Sequence, residues 1–234
     1  MKLGFGLYRH QLNDEHYRFA RQCGAQRFLL TSSGAVYGKQ PSDLTHIPEE
    51  YMGGPDPLDP RSAYGEGKRL AEMLCALYAR QCGLETRIAR CFAFVGPYLP
   101  LDIHFAIGNF IRDGLRGEPI QVKGDGTPCR SYLYAADLAV WLWTILFRGA
   151  NTRAYNVGSD VSMTVGEVAQ AVRDCLSPPP QIRIAQRPNP SQAPLRYVPC
   201  TRQAQSELGL VQRIDATSAI KRTLEWYQKT GVCE

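Results

Sequence analysis

The sequence predicts an α/β fold, in which a parallel sheet with helices between its strands is joined to a smaller α+β lobe. Short apolar runs at 27–31 and 85–95 suit buried strands, and a strongly periodic helical segment at 63–79 separates them. Strands that follow one another through a helix pair in parallel. After residue 120 the strands become shorter and the regular alternation ends, which indicates the second lobe.

Local signals set the boundaries of these elements. Gly24 stops a helix before the first strand, and Gly96-Pro97 ends the second strand. The segment 37–60 is rich in glycine and proline, and its length is typical of a functional loop. The other predicted elements are helices at 105–115, from about 135, after 164 and at 216–229, strands at 120–122 and 154–158, and an extended piece at 130–134.

Composition restricts the classes of function. Of the 234 residues, 44% are hydrophobic and 21% are charged, a profile typical of a globular protein and not of a disordered one. The 27 lysines and arginines exceed the 22 aspartates and glutamates by five, without a run of like charge. This balance does not demand nucleic acid or an acidic lipid surface, and an anionic small substrate fits it equally well. We therefore expect no nucleic-acid partner.

Membrane, targeting and metal signals are weak. The most apolar segment, 133–147, is shorter than the roughly 18 residues of a membrane span and contains Asp137, so a core helix is predicted. The first residues lack an apolar run with a cleavage site, and a cytoplasmic protein without a membrane partner is expected. The eight cysteines have no metal-ligand spacing, so we expect reduced thiols and no metal site.

Tyr64 and Lys68 are the first candidates for catalysis. They stand four residues apart near the start of the predicted helix, so both side chains project from one helix face. A nearby ammonium group favours phenolate and lowers the phenol pKa from about 10, which lets a tyrosine take a proton from an alcohol. An isolated pair with this spacing is more often an ordinary surface pair, so the spacing alone leaves both interpretations open.

Ser33 is the second candidate. The first strand ends in Thr31-Ser32-Ser33 and continues into a turn that contains glycine. Hydroxyl groups at the carboxyl end of a parallel strand lie where α/β sheets bind ligands. Ser33 can hydrogen-bond a substrate hydroxyl or carbonyl and pass a proton to the phenol. The alternative is a serine-rich turn that satisfies its own backbone.

Four motifs together resemble a known family. TSSGAVYG, SAYGEGKRLAE, GDGTPCRSYLYAADLA and AYNVGS occur in the order and spacing of the extended short-chain dehydrogenases/reductases, specifically the NAD-dependent nucleotide-sugar epimerases and dehydratases. The resemblance covers about 18–227. It implies the C-terminal part of a Rossmann-type doubly wound parallel sheet with a smaller α+β substrate-binding lobe. It further implies that 1–118 is a remnant of the NAD-binding domain and that 119–234 is mainly the nucleotide-sugar-binding lobe.

The resemblance also implies catalytic roles. In this family a tyrosine deprotonates the sugar 4-hydroxyl while hydride passes from C4 to NAD, which gives a 4-keto sugar. Tyr64 matches that base. Lys68 matches the lysine that lowers the tyrosine pKa and binds the nicotinamide ribose, so these two residues are also the expected cofactor contacts. Ser33 matches the strand-end hydroxyl that binds substrate. NAD is the implied cofactor, and NADP is not excluded.

Further residues match contacts to a nucleotide diphosphate. These are Asn109 in IGNFI and Arg130, whose planar guanidinium suits a diphosphate, with Arg196 in APLRYVP as a weaker third candidate. Without the resemblance, Arg130 could equally be a solvent-facing turn residue and Asn109 a capping residue. Asp125 is expected to form the GDG turn, and Asp137 to cap or steady the helix that follows it.

The largest departure from the family is the glycine-rich cofactor loop. Relatives carry a G-x-x-G-x-x-G motif that lets the cofactor pyrophosphate approach a helix N-terminus, and the 234 residues contain no such motif. The Gly4-Phe5-Gly6 segment lacks a third glycine. We therefore expect a fragment, a misplaced start codon or a degenerate gene product. An inactive remnant or a binding and dimerisation module is the alternative to an enzyme.

A second departure concerns the reaction. In 4,6-dehydratases an acid and a base follow the catalytic threonine, whereas Gly34 and Ala35 follow Ser33, so dehydration is disfavoured. Related sugar-acid decarboxylases usually place glutamate where Ala35 stands, although a 4-keto acid loses carbon dioxide with little help. The resemblance therefore puts 4-epimerisation or 4-keto reduction ahead of decarboxylation.

The resemblance finally implies a homodimer. The helix that carries Tyr64 and Lys68 commonly packs against its counterpart in a second subunit of this family. The apolar positions that could form such an interface are Leu70, Met73, Leu74 and Leu77, which could equally face the core of the monomer.

Overall fold

The computed structural model describes residues 15–103 and 105–231. The helices of this part are α1 (15–22), α2 (Ala63–Cys82), α3 (Ala106–Leu115), α4 (Ala135–Arg148), α5 (Val165–Asp174), α6 (Arg202–Leu208) and α7 (Ala216–Thr230). The strands are β1 (Arg27–Ser33), β2 (Glu85–Cys91), β3 (Phe94–Val95), β4 (Ile120–Val122), β5 (Cys129–Arg130), β6 (Leu133–Tyr134), β7 (Arg153–Val157), β8 (Met163–Thr164), β9 (Ile182–Ile184) and β10 (Arg196–Tyr197).

A parallel sheet with the strand order β1-β2-β7 forms the centre of the molecule. In its register Ser33 lies opposite Cys91, so both strands end at the same edge. Successive side chains of a strand face opposite sides of its sheet. Leu30 and Ile88 accordingly pack with α2, whereas Leu29 and Ala89 pack with α4. The doubly covered parallel sheet confirms the predicted α/β class.

The smaller lobe has its own apolar core, built by α3, α5, α7 and β4. The strand β4 pairs in parallel with β9, and β5 lies between β10 and β8. The strand β7 comes from the C-terminal half of the chain but pairs with β2 in the central sheet. The boundary at residue 118 remains a prediction.

Most of the predicted elements are present, with one difference in the second strand. The segment 85–95 forms two strands, because the chain leaves the central sheet after β2 and β3 pairs instead with β6. The backbone N–H of Phe92 at this break donates to the carbonyl of Val157 at 3.0 Å. The sequence pattern did not indicate β8, β9, β10 or α6, which are seven residues long or shorter.

Two predicted aspartates have structural roles. Asp125 accepts hydrogen bonds from the backbone and the hydroxyl of Thr127 and so closes the GDG turn. The buried Asp137 does not cap its own helix. It accepts the backbone N–H groups of Arg213 and Ile214, each at 3.0 Å, and thereby ties α4 to the segment before α7.

Three further expectations concern the N-terminal glycines, a membrane span and a metal site. The Gly4-Phe5-Gly6 segment lies outside the described residues. None of the helices in the described ranges is long and apolar enough to cross a membrane. Among the same residues, no three histidine, cysteine, aspartate or glutamate side chains come together in a way that could hold a metal ion.

Candidate functional site

Ser33, Tyr64 and Lys68 meet where β1 ends and α2 begins. The Lys68 ammonium donates to the carbonyl of Thr31 at 2.8 Å, and its Nζ lies 5.9 Å from the centre of the Tyr64 ring. Ser33 is the last residue of β1, and its Oγ accepts the backbone N–H of Ala35 at 3.2 Å, which caps the 3₁₀ turn Gly34–Tyr37. The Tyr64 side chain is 47% exposed, so its phenol is accessible to a ligand.

Two glycines allow this close approach. A Cβ at Gly65 would stand 2.7 Å from the carbonyl oxygen of Ala35, so only glycine lets the first turn of α2 contact the turn after Ser33. A Cβ at Gly34 would stand 2.7 Å from both the Phe92 ring and the Tyr197 hydroxyl. The strand end, the helix start and β10 therefore converge at one point.

Tyr197 is a site residue that the sequence analysis did not identify, although its neighbour Arg196 was a candidate. Burial raises the pKa of Tyr197 to about 12. A hydrogen bond with the Ser33 side chain has the opposite, smaller effect and lowers this pKa. Its pKa lies far above neutrality, so Tyr197 stays a phenol at pH 7. It can donate a hydrogen bond to a ligand at the Ser33 end of the site but does not act as a base.

Cys91 lies opposite Ser33 in the register of the central sheet. Burial raises the pKa of its thiol to about 12, even though the nearby Lys68 ammonium acts in the opposite direction. The thiol is therefore protonated at neutral pH and is not a nucleophile.

A buried ion pair fixes α2 against the strands that it covers. Glu72 and Arg90 form hydrogen bonds through two nitrogens, the shortest at 2.8 Å, and their side chains are only 12% and 16% exposed. The Ser32 hydroxyl donates to the Glu72 carboxylate at 2.6 Å. Since Tyr64, Lys68 and Glu72 are spaced by four residues, one face of α2 carries the phenol, the ammonium and this anchor.

The ion pair continues into a buried polar network. Arg90 donates to the hydroxyl of Tyr37 at 2.9 Å, and Tyr37 donates to the side-chain carbonyl of Asn156 at 2.8 Å. The backbone N–H of Asn156 donates to the carboxylate of Glu49, whose pKa is raised mainly by burial. The network thus connects α2, β2, β7 and the loop before α2.

A cavity of about 690 Å³ adjoins this site and brings together three residues that the sequence analysis selected, Asn109, Arg130 and Arg196. Asn109 comes from α3. Arg130 and Arg196 are neighbours because β5 pairs in parallel with β10, which sets Arg130 opposite Tyr197. Tyr197 also lines the cavity, so the cavity reaches the Ser33 end of the site.

The cavity is strongly positive. Its charged lining residues are Lys39, Lys123, Arg130 and Arg196, and no described lining residue is an aspartate or glutamate. The Arg130 guanidinium donates to the carbonyl of Cys129 at 2.8 Å, which leaves further donors of its planar group for a ligand. The chemistry of this lining suits a phosphorylated or otherwise anionic small molecule.

Comparison with known proteins identifies the family of this chain. The model of the NAD dependent epimerase/dehydratase family matches residues 10–158. The chain is 38% identical over 191 residues to UDP-glucuronic acid decarboxylase 5 of Arabidopsis thaliana, which covers 81% of this chain and 54% of that protein. The chain spans about half the length of the curated relatives that it matches.

Solved structures share the fold. The UDP-glucose 4-epimerase of Thermotoga maritima with UDP-glucose superposes with a TM-score of 0.79 at 23% identity, over 92% of this chain and 67% of that one. The dTDP-glucose 4,6-dehydratase of Bacillus anthracis in complex with NAD superposes with a TM-score of 0.82 at 19% identity, over 100% of this chain and 71% of that one.

Removal of either member of the buried ion pair is expected to destabilise the protein strongly. Glu72→Ala leaves the buried Arg90 without its carboxylate, and the expected loss is about 3 kcal/mol of unfolding free energy. Arg27→Ala is the matched control, because it breaks a pair with Glu85 whose side chains are 44% and 47% exposed, and its loss of unfolding free energy should be much smaller. Urea unfolding measures both variants, and equal losses would contradict the assigned role of Glu72.

Proposed function

The chain belongs to the NAD-dependent epimerase/dehydratase family, and we propose that it carries the catalytic and substrate-binding residues for oxidation of a UDP-sugar at C4. The observation that supports this most strongly is the convergence of Ser33, Tyr64 and Lys68 beside a cavity lined by Arg130 and Arg196. A reactive end and an anion-binding end in one continuous site suit a sugar linked to a nucleoside diphosphate.

Each residue then has a defined task. Tyr64 takes the proton of the 4-hydroxyl, and the Lys68 ammonium lies 5.9 Å from the centre of its ring. Ser33 and Tyr197 hydrogen-bond the sugar and hold C4 toward Tyr64. Arg130, Arg196 and Asn109 bind the diphosphate and fix the distance between it and the reacting carbon.

The residues present fit the nicotinamide end of NAD. Tyr64 and Lys68 lie at the carboxyl end of β1, where parallel α/β sheets bind ligands, and their hydroxyl and ammonium groups suit the nicotinamide ribose. When bound, NAD supplies the hydride acceptor for C4. NADP fits the same two residues.

The fate of the 4-keto sugar has two candidates. Decarboxylation of a UDP-sugar acid is supported by the relatives, which are UDP-glucuronic acid decarboxylases. Epimerisation at C4 is supported by Gly34 and Ala35, which leave no acidic side chain directly after Ser33. The residues after Ser33 favour 4-epimerisation or 4-keto reduction, whereas the relatives favour decarboxylation.

Binding of the nucleotide tests the substrate half of this proposal. In calorimetric titrations UDP should bind the chain, and Arg130→Gln should weaken its affinity by about tenfold or more, because a charge-assisted contact to phosphate is lost. Arg183→Gln, which removes an exposed arginine of β9, is the control and should leave the affinity unchanged. Absence of UDP binding by the unmodified chain would contradict the proposal.

Turnover distinguishes the two reactions. With NAD and UDP-glucuronic acid labelled in its carboxyl group, labelled carbon dioxide identifies decarboxylation, and labelled UDP-galacturonic acid identifies epimerisation. Tyr64→Phe should abolish either product while the affinity for UDP-glucuronic acid remains. Undiminished turnover by Tyr64→Phe would refute the base assignment, and binding without turnover by the unmodified chain would identify a nucleotide-sugar-binding module.

We also propose a homodimer through α2. Met73 and Leu77 are spaced by four residues and are 53% and 41% exposed, whereas Leu74 packs against the core beneath the helix. Sedimentation velocity should give a dimer for the unmodified chain and a monomer for Met73→Glu/Leu77→Glu. Two added charges on the exposed face of α4, in Val140→Glu/Phe147→Glu, are the matched control and should leave the dimer intact. A monomeric unmodified chain would contradict this interface.

A further inference from the structure

The cavity carries more positive charge than a nucleotide diphosphate requires. Four cations line it, and no carboxylate of the described lining residues offsets them. The diphosphate of a UDP-sugar has one negative charge on each phosphate, which Arg130 and Arg196 can meet with their planar guanidinium groups. Lys39 and Lys123 then remain, and unpaired charges facing a cavity favour an additional anionic group on the ligand.

Lys39 belongs to the reactive end of the cavity. It follows the 3₁₀ turn that begins directly after Ser33, and Gly38 before it has a φ of +70° that redirects the backbone. The next residue, Gln40, is buried and accepts the backbone N–H of Val198 at 3.0 Å while it donates to the carbonyl of Leu44. Since Val198 follows Tyr197, Gln40 holds Lys39 on the same wall of the cavity as Tyr197, whose hydroxyl lies beside Gly34.

Lys123 belongs to the other end. It follows β4, on the wall that also contributes Gln121 and the α3 residue Asn109. That wall lies with the nucleotide-binding residues and not with the turn after Ser33. Of the two surplus cations, Lys39 is therefore the one near the sugar.

Among the described residues, none binds the Lys39 side chain. Asp43 lines a neighbouring cavity that Lys39 also borders, but no ion pair joins these two side chains, and within 15–103 and 105–231 the Lys39 ammonium has no hydrogen-bond partner. An exposed lysine on a backbone fixed by Gln40 is free to reach a ligand group in the cavity.

We propose that Lys39 is a specificity-determining residue that binds the carboxylate of a sugar acid, so that the site prefers UDP-uronic acids to UDP-sugars with a neutral hexose. This inference rests on the proposed function, because it assumes that Arg130 and Arg196 hold the diphosphate. A uronic acid carries its carboxylate on C5, next to the C4 carbon that faces Tyr64. A cation beside Tyr197 is therefore placed to bind that carboxylate.

Calorimetric titration with UDP, UDP-glucose and UDP-glucuronic acid tests the assignment. The unmodified chain should bind UDP-glucuronic acid more tightly than UDP-glucose. Lys39→Met should lose about tenfold in affinity for UDP-glucuronic acid and retain its affinity for the other two ligands, whereas Lys39→Arg should keep the preference. Lys229→Met, on the exposed surface of α7, has the same net charge as Lys39→Met and should behave as the unmodified chain.

The outcomes separate this inference from the proposed function. Equal weakening of all three ligands by Lys39→Met would make Lys39 a phosphate contact and would overturn the carboxylate assignment. Unchanged affinities in Lys39→Met would overturn it as well. If the unmodified chain bound none of the three ligands, the proposed function itself would fail.

Discussion

The arrangement of the site depends on the ion pair between Glu72 and Arg90. Transfer of two charges from water into a protein is costly, and the cost is offset only where geometry and further hydrogen bonds satisfy both groups. Here Arg90 reaches the carboxylate through two nitrogens and also donates to Tyr37 and to the carbonyl of Glu49, while Ser32 donates to Glu72. A helix that shifted along its axis would lose these partners together. The pair therefore fixes the register of α2 on β1, and with it the position of Tyr64 relative to Ser33.

The site also depends on how the two lobes pack together, because each lobe contributes some of its residues. The central sheet contributes the turn after Ser33, and the smaller lobe contributes Arg130, Arg196 and Tyr197 through the pairing of β5 with β10. Tyr197 connects the two lobes, because it lines the cavity and its hydroxyl lies beside Gly34 in the turn after Ser33. Neither lobe alone forms a site with both an anion-binding end and a reactive end. In the proposed function, their relative position sets the distance between the diphosphate and the carbon that reacts.

The sequence predicted those features of the site that depend on residues close together in the chain. Tyr64 and Lys68 share a helix face because of their spacing, and Ser33 ends a strand that is plainly apolar. No spacing or strand pattern in the sequence indicated Glu72, Arg90 or Tyr197. Their roles arise from contacts with residues that are distant in the chain. Asn109, Arg130 and Arg196 emerged only from resemblance to a family. Their convergence on one cavity depends on β10, a strand of two residues flanked by proline-rich sequence, which no periodicity reveals.

The most direct test of the central claim is a crystal structure of the chain with UDP-glucuronic acid. We expect a diphosphate between Arg130 and Arg196, with C4 of the sugar facing the hydroxyl groups of Tyr64 and Ser33. The Glu72 to Arg90 pair should be intact beneath α2. A nucleotide bound outside this cavity, or a sugar directed away from Tyr64 while the diphosphate occupies the arginines, would contradict it.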